Sequence, residues 1–276
     1  MFTTRNLIPF FHFRNTIKVS LLISTYNFPE AIRLCLMSVT RQTLLPDEIV
    51  IADDGSDERT RNTIDNLRPY VACNIKHVWQ EDLGFRVASI RNKALAACSG
   101  DYVIQIDGDI IMGRNFIADH VRHARIGYFA AGSRCRLNER ITKRILQMSD
   151  YSPSFFNRDL IARENAIRLP IITPFLKRYK RTIGCNMAFW LKDIIAINGY
   201  NEDMEGWGHE DIELAERLIR NGVCRQHLKF CAIGFHIYHK ERSREFEDHN
   251  MDIVHRNRIN NVRRINNGIS KHLQKE

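Results

Sequence analysis

Tyr102-Val103-Ile104-Gln105-Ile106-Asp107-Gly108-Asp109 runs from an apolar segment straight into two carboxylates separated by one glycine. A short apolar run bounded by turn formers reads as a buried strand, so Asp107 and Asp109 are expected at its carboxyl end. In extended backbone, side chains two residues apart point the same way. Both acids are therefore expected on one side, where oxygen ligands hold a hard divalent cation against a diphosphate. Two aspartates around a glycine are also common in loops. The strand in front of them is what raises this pair above that reading.

Working outward, Lys18 to Thr25 is a second strand-like run, ending in Ser24-Thr25 before Tyr26-Asn27-Phe28-Pro29. Proline suits a first helical turn, and Ile32, Cys35, Leu36 and Val39 recur at helical spacing over 30–39. A third strand, Glu48 to Ala52, runs into Asp53-Asp54-Gly55-Ser56-Asp57, and a polar helix is predicted from Glu58 to Leu67. Strand and helix alternating with short joints predict an α/β fold, a mostly parallel mixed central sheet flanked by helices. Ligands of such sheets bind beyond the carboxyl ends of the strands, which is where Thr25, Asp53 and Asp107 all fall. Asp53-Asp54-Gly55-Ser56 also reads as a turn with a helix cap; alternatively, a carboxylate there would accept the imide proton of uracil. A helix is expected from Arg86 to Ala97, with Ala88, Ala94, Leu95 and Cys98 on its packed side. Arg86 and Arg91 are five apart and need not share a face; one of them is expected to reach a phosphate oxygen, unless the pair belongs to a solvated basic face.

Downstream, residues 134–181 carry aromatic and proline-rich stretches such as Tyr151-Ser152-Pro153-Ser154-Phe155-Phe156 among basic residues, and read as a mobile insertion over the crevice or a packed surface subdomain. Gly184 to Trp190 brings small residues and then a strand-like run. Gly206-Trp207-Gly208-His209-Glu210-Asp211 then opens a helix that Asn221-Gly222 closes. Glu210 and Asp211 occupy its first turn, where the helix amides favour anions. A carboxylate lowered in pKa by that field stays ionised and accepts a proton from a hydroxyl. His236 and His239 follow.

The chain has 276 residues and a formal net charge of +9. Its Lys and Arg are spread among 32 acidic residues rather than drawn into a stripe, which argues against nucleic acid as a partner. No apolar run is long enough to span a bilayer, and Ile8-Pro9-Phe10-Phe11 lacks the features of a signal peptide. A cytoplasmic location is expected, and seven scattered cysteines suit reduced, mostly buried thiols. The boundaries predicted are an extension 1–17, a catalytic domain 18–240 divided at 133 and 181, and a basic tail 241–276. In that tail Ile259, Val262, Ile265 and Ile269 recur at helical spacing beside Arg256, Arg263 and Arg264. This predicts an amphipathic helix that either lies on an anionic membrane at its inner face or packs on the protein.

With these residues placed, the chain resembles the GT-A fold nucleotide-sugar glycosyltransferases of family 2 over 18–112. Its part 182–240 is similar to the galactosyltransferase and polypeptide N-acetylgalactosaminyltransferase pattern around Gly-Trp-Gly-x-Glu-Asp. The resemblance implies transfer of a sugar from a UDP-hexose or UDP-N-acetylhexosamine to a glycan, lipid-linked or lipopolysaccharide acceptor, with inversion and with Mn²⁺ or Mg²⁺. It assigns Thr25 and Asp53 or Asp54 to the nucleoside, Arg91 to the donor phosphates, and Asp109 to the metal, with Asp107 bridging toward ribose or metal. Trp207 and Gly208 would line the sugar and acceptor pocket, Glu210 would bind sugar hydroxyls and Asp211 would be the general base. His239 would ligate the metal, with His236 as the nearby competitor. His209 departs from the small residue of galactosyl-transferring relatives, where an imidazole would narrow the pocket or touch the acceptor. Two other classes fit parts of the pattern, a non-catalytic carbohydrate-binding or scaffold protein and a nucleotidyltransferase. Asp109, Asp211 and His239 together argue against the first, and the lack of a Gly-x-x-x-x-Gly-Lys loop argues against the second.

Overall fold

The structure is a computed structural model that describes residues 17–156, 158, 160–173, 183–240 and 243–273. The apolar patch Ile8-Pro9-Phe10-Phe11, residues 174–182 of the predicted insertion and the last three residues of the tail lie outside the described residues. The first half alternates as read: β1 (Val19–Thr25), α1 (Pro29–Val39), β2 (Glu48–Asp53), α2 (Glu58–Leu67), β3 (Asn74–Trp79), α3 (Val87–Ala97) and β4 (Tyr102–Asp107). Pro29 opens α1, and the Asp57 side chain caps α2 by accepting from the amides of Arg59 and Thr60. Shorter elements follow: β5 (Ile110–Met112), α4 (Phe116–His123), β6 (Tyr128–Gly132), β7 (Arg134–Leu137), α5 (Glu139–Ile145) and β8 (Leu160–Ile161). The second half holds β9 (Asn186–Trp190), α6 (Leu191–Ala196), α7 (Glu210–Arg220), β10 (Cys224–Leu228), β11 (Gly234–His236) and α8 (Glu247–Ile259).

Seven strands form one sheet in the order β10-β6-β9-β4-β1-β2-β3, with β9 antiparallel to both neighbours and the other pairs parallel. Alternation along β1 sends Leu21 and Ile23 into one apolar cluster and Leu22 into another. The sheet is thus covered on both faces, as parallel strands require. Register sets the site: Ser24 lies beside Asp107 and Thr25 beside Asp53. A second sheet runs β5-β11-β7-β8, so the start of the region predicted as an insertion is a strand of that sheet. Antiparallel pairing of β5 with β11 puts His236 opposite Ile110, one residue from Asp109.

The tail differs from its expected form. Its helix ends at Ile259, and Asn261 turns the chain with a positive φ of 47°, a conformation asparagine tolerates better than most residues. Ile265 and Ile269, expected on one helical stripe with Ile259, are instead 7% and 0% exposed, while Ile259 is 83% exposed. Ile269 joins the cluster under α3 and α7, and Asn198 Nδ2 donates to the Ile265 carbonyl at 2.9 Å. Ile265 and Ile269 thus follow the expected alternative of packing on the protein's own core, whereas Ile259 stays exposed. Among the described residues no helix is long and apolar enough to cross a membrane.

Ile269→Ala should cost about 2–5 kcal/mol of unfolding free energy, the range for emptying a buried isoleucine site, read by urea denaturation. An unchanged midpoint would mean that the tail does not belong to the core.

Candidate active site

Asp109 stands where β4 gives way to β5. Residues 108 and 109 form a turn, tightened by the Gly108 amide donating to the Ser24 carbonyl at 2.7 Å. This turn overturns the expectation that Asp107 and Asp109 face the same way, because extended geometry ends at Asp107. The Asp109 carboxylate meets two imidazoles, with Oδ2 3.1 Å from His239 Nε2 and 3.4 Å from His236 Nε2. All three side chains offer a ligand atom within 4.8 Å of one another. His239 Nδ1 lies 2.8 Å from the Lys240 carbonyl; a carbonyl only accepts, so Nδ1 donates there and Nε2 is the nitrogen turned to Asp109. Asp109 Oδ1 is buried without a hydrogen-bond partner, a costly state for a carboxylate oxygen unless a cation answers it. Burial alone would push the Asp109 pKa up, but His236 and His239 outweigh it and hold the group below the usual carboxylate range. The donor set fits a divalent cation, and both histidines face it, not one in place of the other.

Asp107 turns to Arg91. That guanidinium, 3% exposed as a residue, donates to Asp107 Oδ1 at 3.0 Å, to Glu210 Oε1 at 2.9 Å and to Ser24 Oγ at 3.1 Å. Tyr200 stacks its ring 5.3 Å from the same group. Three Arg91 N–H groups are thus used inside the protein, and Arg86 is turned elsewhere, its Nη2 on the Glu81 carbonyl at 2.6 Å. Burial raises the Asp107 pKa; Arg91 opposes this and Asp109 adds to it.

Glu210 and Asp211 open α7 after a backbone in which Gly206, Gly208 and His209 all have positive φ, at 70°, 116° and 71°. A side chain on Gly206 would meet the Phe246 ring, with Cβ 2.5 Å from Cγ. His209 is a non-glycine residue in a left-handed cap, a conformation that costs about 1–2 kcal/mol, and its Nε2 lies 3.7 Å from Glu247 Oε1. Trp207 is 38% exposed and lies under the Arg244 guanidinium at 5.4 Å. Asp211 accepts from the Gly184 amide at 2.7 Å and from the Ile212 amide at 2.8 Å. Its pKa is not lowered by the helix field as expected: burial, then the neighbouring Glu210 charge, push it up to about 7 against the pull of Arg91 and those two amides. Such a carboxylate is a stronger base than an ordinary one near neutral pH.

At the nucleoside end, Asp53 is 0% exposed, with Oδ1 on the Ser56 amide and Oδ2 on His77 Nε2, both at 2.8 Å. Asp54 accepts from Gln80 Nε2 at 2.6 Å and from the Arg86 amide at 2.9 Å. Thr25 is buried and its carbonyl takes the Asp54 amide at 3.1 Å. These groups shape the loop, and the buried Asp53 oxygens already have donors. One group escaped the sequence: Arg134 at the start of β7, whose charge acts on Asp107, Asp109 and His236. Only the crossing of β7 beside β11 brings it there, and no local motif marks it.

The glycosyl transferase family 2 profile matches residues 20–184, more than half of the chain, and a profile described as the N-terminal domain of galactosyltransferase matches 174–240. The chain belongs to glycosyl transferase family 2. Its part 174–240 is galactosyltransferase-like, and the fold is GT-A. The validoxylamine A glucosyltransferase of Streptomyces hygroscopicus subsp. limoneus is 29% identical over 225 residues, covering 74% of this chain and 48% of that protein. The chain thus spans about half the length of this curated relative. Among solved structures, S. aureus TarS 1-349 in complex with UDP aligns with a TM-score of 0.59 at 18% identity, over 93% of this chain and 68% of that one. The mannosyltransferase PcManGT from Pyrobaculum calidifontis in complex with GDP-Man and Mn²⁺ aligns with a TM-score of 0.56 at 19% identity, over 82% and 58%. At such identities these likenesses speak for the fold.

Arg91→Ala should destabilise this family 2 domain by about 3–5 kcal/mol, as removal of one partner from a buried ion pair does. Chemical denaturation at pH 8 reads this; a change under about 1 kcal/mol would mean the pairs are not shielded from water.

Proposed function

We propose that the chain transfers a sugar from a nucleotide-sugar, a UDP-hexose or UDP-N-acetylhexosamine, to a saccharide acceptor by single displacement with inversion. The observation that carries this reading is the Asp109, His236 and His239 cluster with its unanswered buried oxygen, set at the carboxyl ends of parallel strands within a family 2 domain. One carboxylate and two imidazoles suit Mn²⁺ better than Mg²⁺, which prefers an all-oxygen shell. A cation held there offsets the charge a diphosphate gains on leaving.

Asp211 is the proposed general base. Each of its oxygens accepts one backbone N–H, and each keeps a lone pair for an acceptor hydroxyl. Taking that proton lets the hydroxyl oxygen attack the anomeric carbon from the side opposite the diphosphate. Glu210 is held by Arg91, which suits it to fixing sugar hydroxyls more than to moving protons. Arg91 acts as a positioning residue, setting Asp107 and Glu210. Trp207, Gly208 and His209 form the rim of the sugar and acceptor pocket, and Thr25 with the Asp53-Asp54 loop lies at the nucleoside end.

UDP and GDP titrated calorimetrically with Mn²⁺ or EDTA test the reading. UDP is expected to bind tightly only with Mn²⁺, and Asp109→Ala, His236→Ala and His239→Ala should each remove that dependence. Equal UDP affinity with and without Mn²⁺ would sink the metal assignment, and preference for GDP would overturn the donor class.

The base role predicts a pH profile. Asp211 accepts a proton only when ionised, so kcat/KM should rise with pH and level off above about 7, falling tenfold per unit below it. Asp211→Asn should lower transfer by about 10²- to 10⁴-fold and keep UDP affinity. A variant that transfers normally, or a wild-type profile flat from pH 5 to 8 (on the order of the unperturbed to shifted range), would transfer the role away from Asp211.

A further inference from the structure

We propose that Arg134 and Arg136 form an anion-binding row that receives a negatively charged substituent, phosphate or carboxylate, of the acceptor saccharide; this rests on the transfer reading above. β7 pairs in parallel with β11, Gly234 opposite Arg134 and His236 opposite Arg136. Residues partnered across adjacent strands project to the same face, so both arginines stand on the face that carries His236. The alternating residues Cys135 and Leu137 are 0% and 1% exposed in the apolar cluster on the other face. A side chain at Gly234 would meet Ile110 Cγ2 at 3.0 Å, so the row opens at the exposed Arg136 and not above Gly234.

Neither arginine has a carboxylate within salt-bridge reach among the described residues. Arg134 donates Nη1 to the Cys185 sulfur at 3.5 Å, and Arg136 is exposed. Other arginines of the molecule are treated differently: Arg91 is saturated by Asp107 and Glu210, and Arg168 grips Asp119 at 2.6 Å. Arg134 feels the charges of Asp107 and Asp109 but grips neither, and the exposed Arg136 has no ion pair among the described residues. Its planar fork matches a carboxylate or phosphate at two points.

Strand spacing sets the backbone of Arg136 apart from Asp109. Asp109 leads into β5, and Arg136 lies two strands further on, about 10 Å away at the usual strand spacing. Its neighbour on β8 is Ile161, 43% exposed, which offers an apolar surface to a sugar ring at the open edge of the sheet. Arg134 faces the cation cluster and Arg136 the edge, so an acceptor lying along β7 would present its charge to both.

The test is surface plasmon resonance on the full chain with methyl β-glucuronide, glucose 6-phosphate and methyl β-glucoside, each with and without UDP and Mn²⁺. One anionic ligand should bind about tenfold tighter than the neutral glucoside, the ratio one charge-assisted hydrogen bond supplies; the arm that shows it distinguishes carboxylate from phosphate. Arg136→Gln should abolish this preference and leave UDP affinity unaltered, and Arg134→Gln should weaken it. Equal affinity for charged and neutral ligands overturns the proposal, as does a preference that survives Arg136→Gln. Loss of UDP affinity in Arg136→Gln also overturns it, by assigning the residue to the donor. Failure of the wild type to bind UDP would instead sink the transfer reading, while the glycoside arms without nucleotide are still read on their own.

Discussion

The site depends on one buried positive charge. Arg91 projects from α3 into the gap between β4 and α7 and holds Asp107 with one nitrogen and Glu210 with another. Without it, Asp107 and Glu210 would face each other with no guanidinium between them, whereas Asp109 has its own partners in His236 and His239. The two Arg91 nitrogens reach both partners at once, a span a lysine ammonium cannot reproduce. The Tyr200 ring and Ser24 Oγ complete its surroundings. The arrangement fixes Glu210 and leaves the adjacent Asp211 with backbone donors only. Two neighbouring carboxylates thereby acquire different partners, which suits the proposed division between a sugar-holding group and a base.

The same separation operates at the strand end. Gly108 turns the chain tightly under the Ser24 carbonyl, so Asp107 goes to the arginine and Asp109 to the histidines. A cation placed by Asp109, His236 and His239 would thus be attached to the second sheet as much as to the first, since β11 delivers one imidazole and the residues just after it the other. The second sheet is in that sense part of the catalytic frame, and β7 extends it toward the open edge.

What the sequence made legible was local. β1, β2, β4, α1, α2, α3 and α7 lie within a residue or two of the predicted boundaries because apolar periodicity, Pro29, Asp57 and Asn221 mark them. The Asp-x-Asp pair, the Gly-Trp-Gly segment and both histidines were visible as motifs. The second sheet was not, because β5, β8 and β11 are two or three residues long, too short to show alternation. The Arg91 pairing was hidden because a helix pattern says which residues share a face and nothing about what the face meets. Asp211 was assigned a lowered pKa from the field of its own helix, whereas the Gly184 loop and Glu210, which bury and oppose its charge, come from tertiary packing. In the tail, packing on the protein was one of the two outcomes expected and Ile265 and Ile269 meet it, but the isoleucine spacing hides that Asn260-Asn261 ends the helix.

Asp109, His236 and His239 are proposed to hold one divalent cation beneath the donor's diphosphate. Crystals grown with UDP and Mn²⁺, with diffraction data collected at the manganese absorption edge, test it directly. The account predicts a single anomalous peak bonded to Asp109 and both imidazoles, with the diphosphate of UDP completing its shell. UDP bound in the crevice with the anomalous peak elsewhere, or with no peak at all, would contradict it.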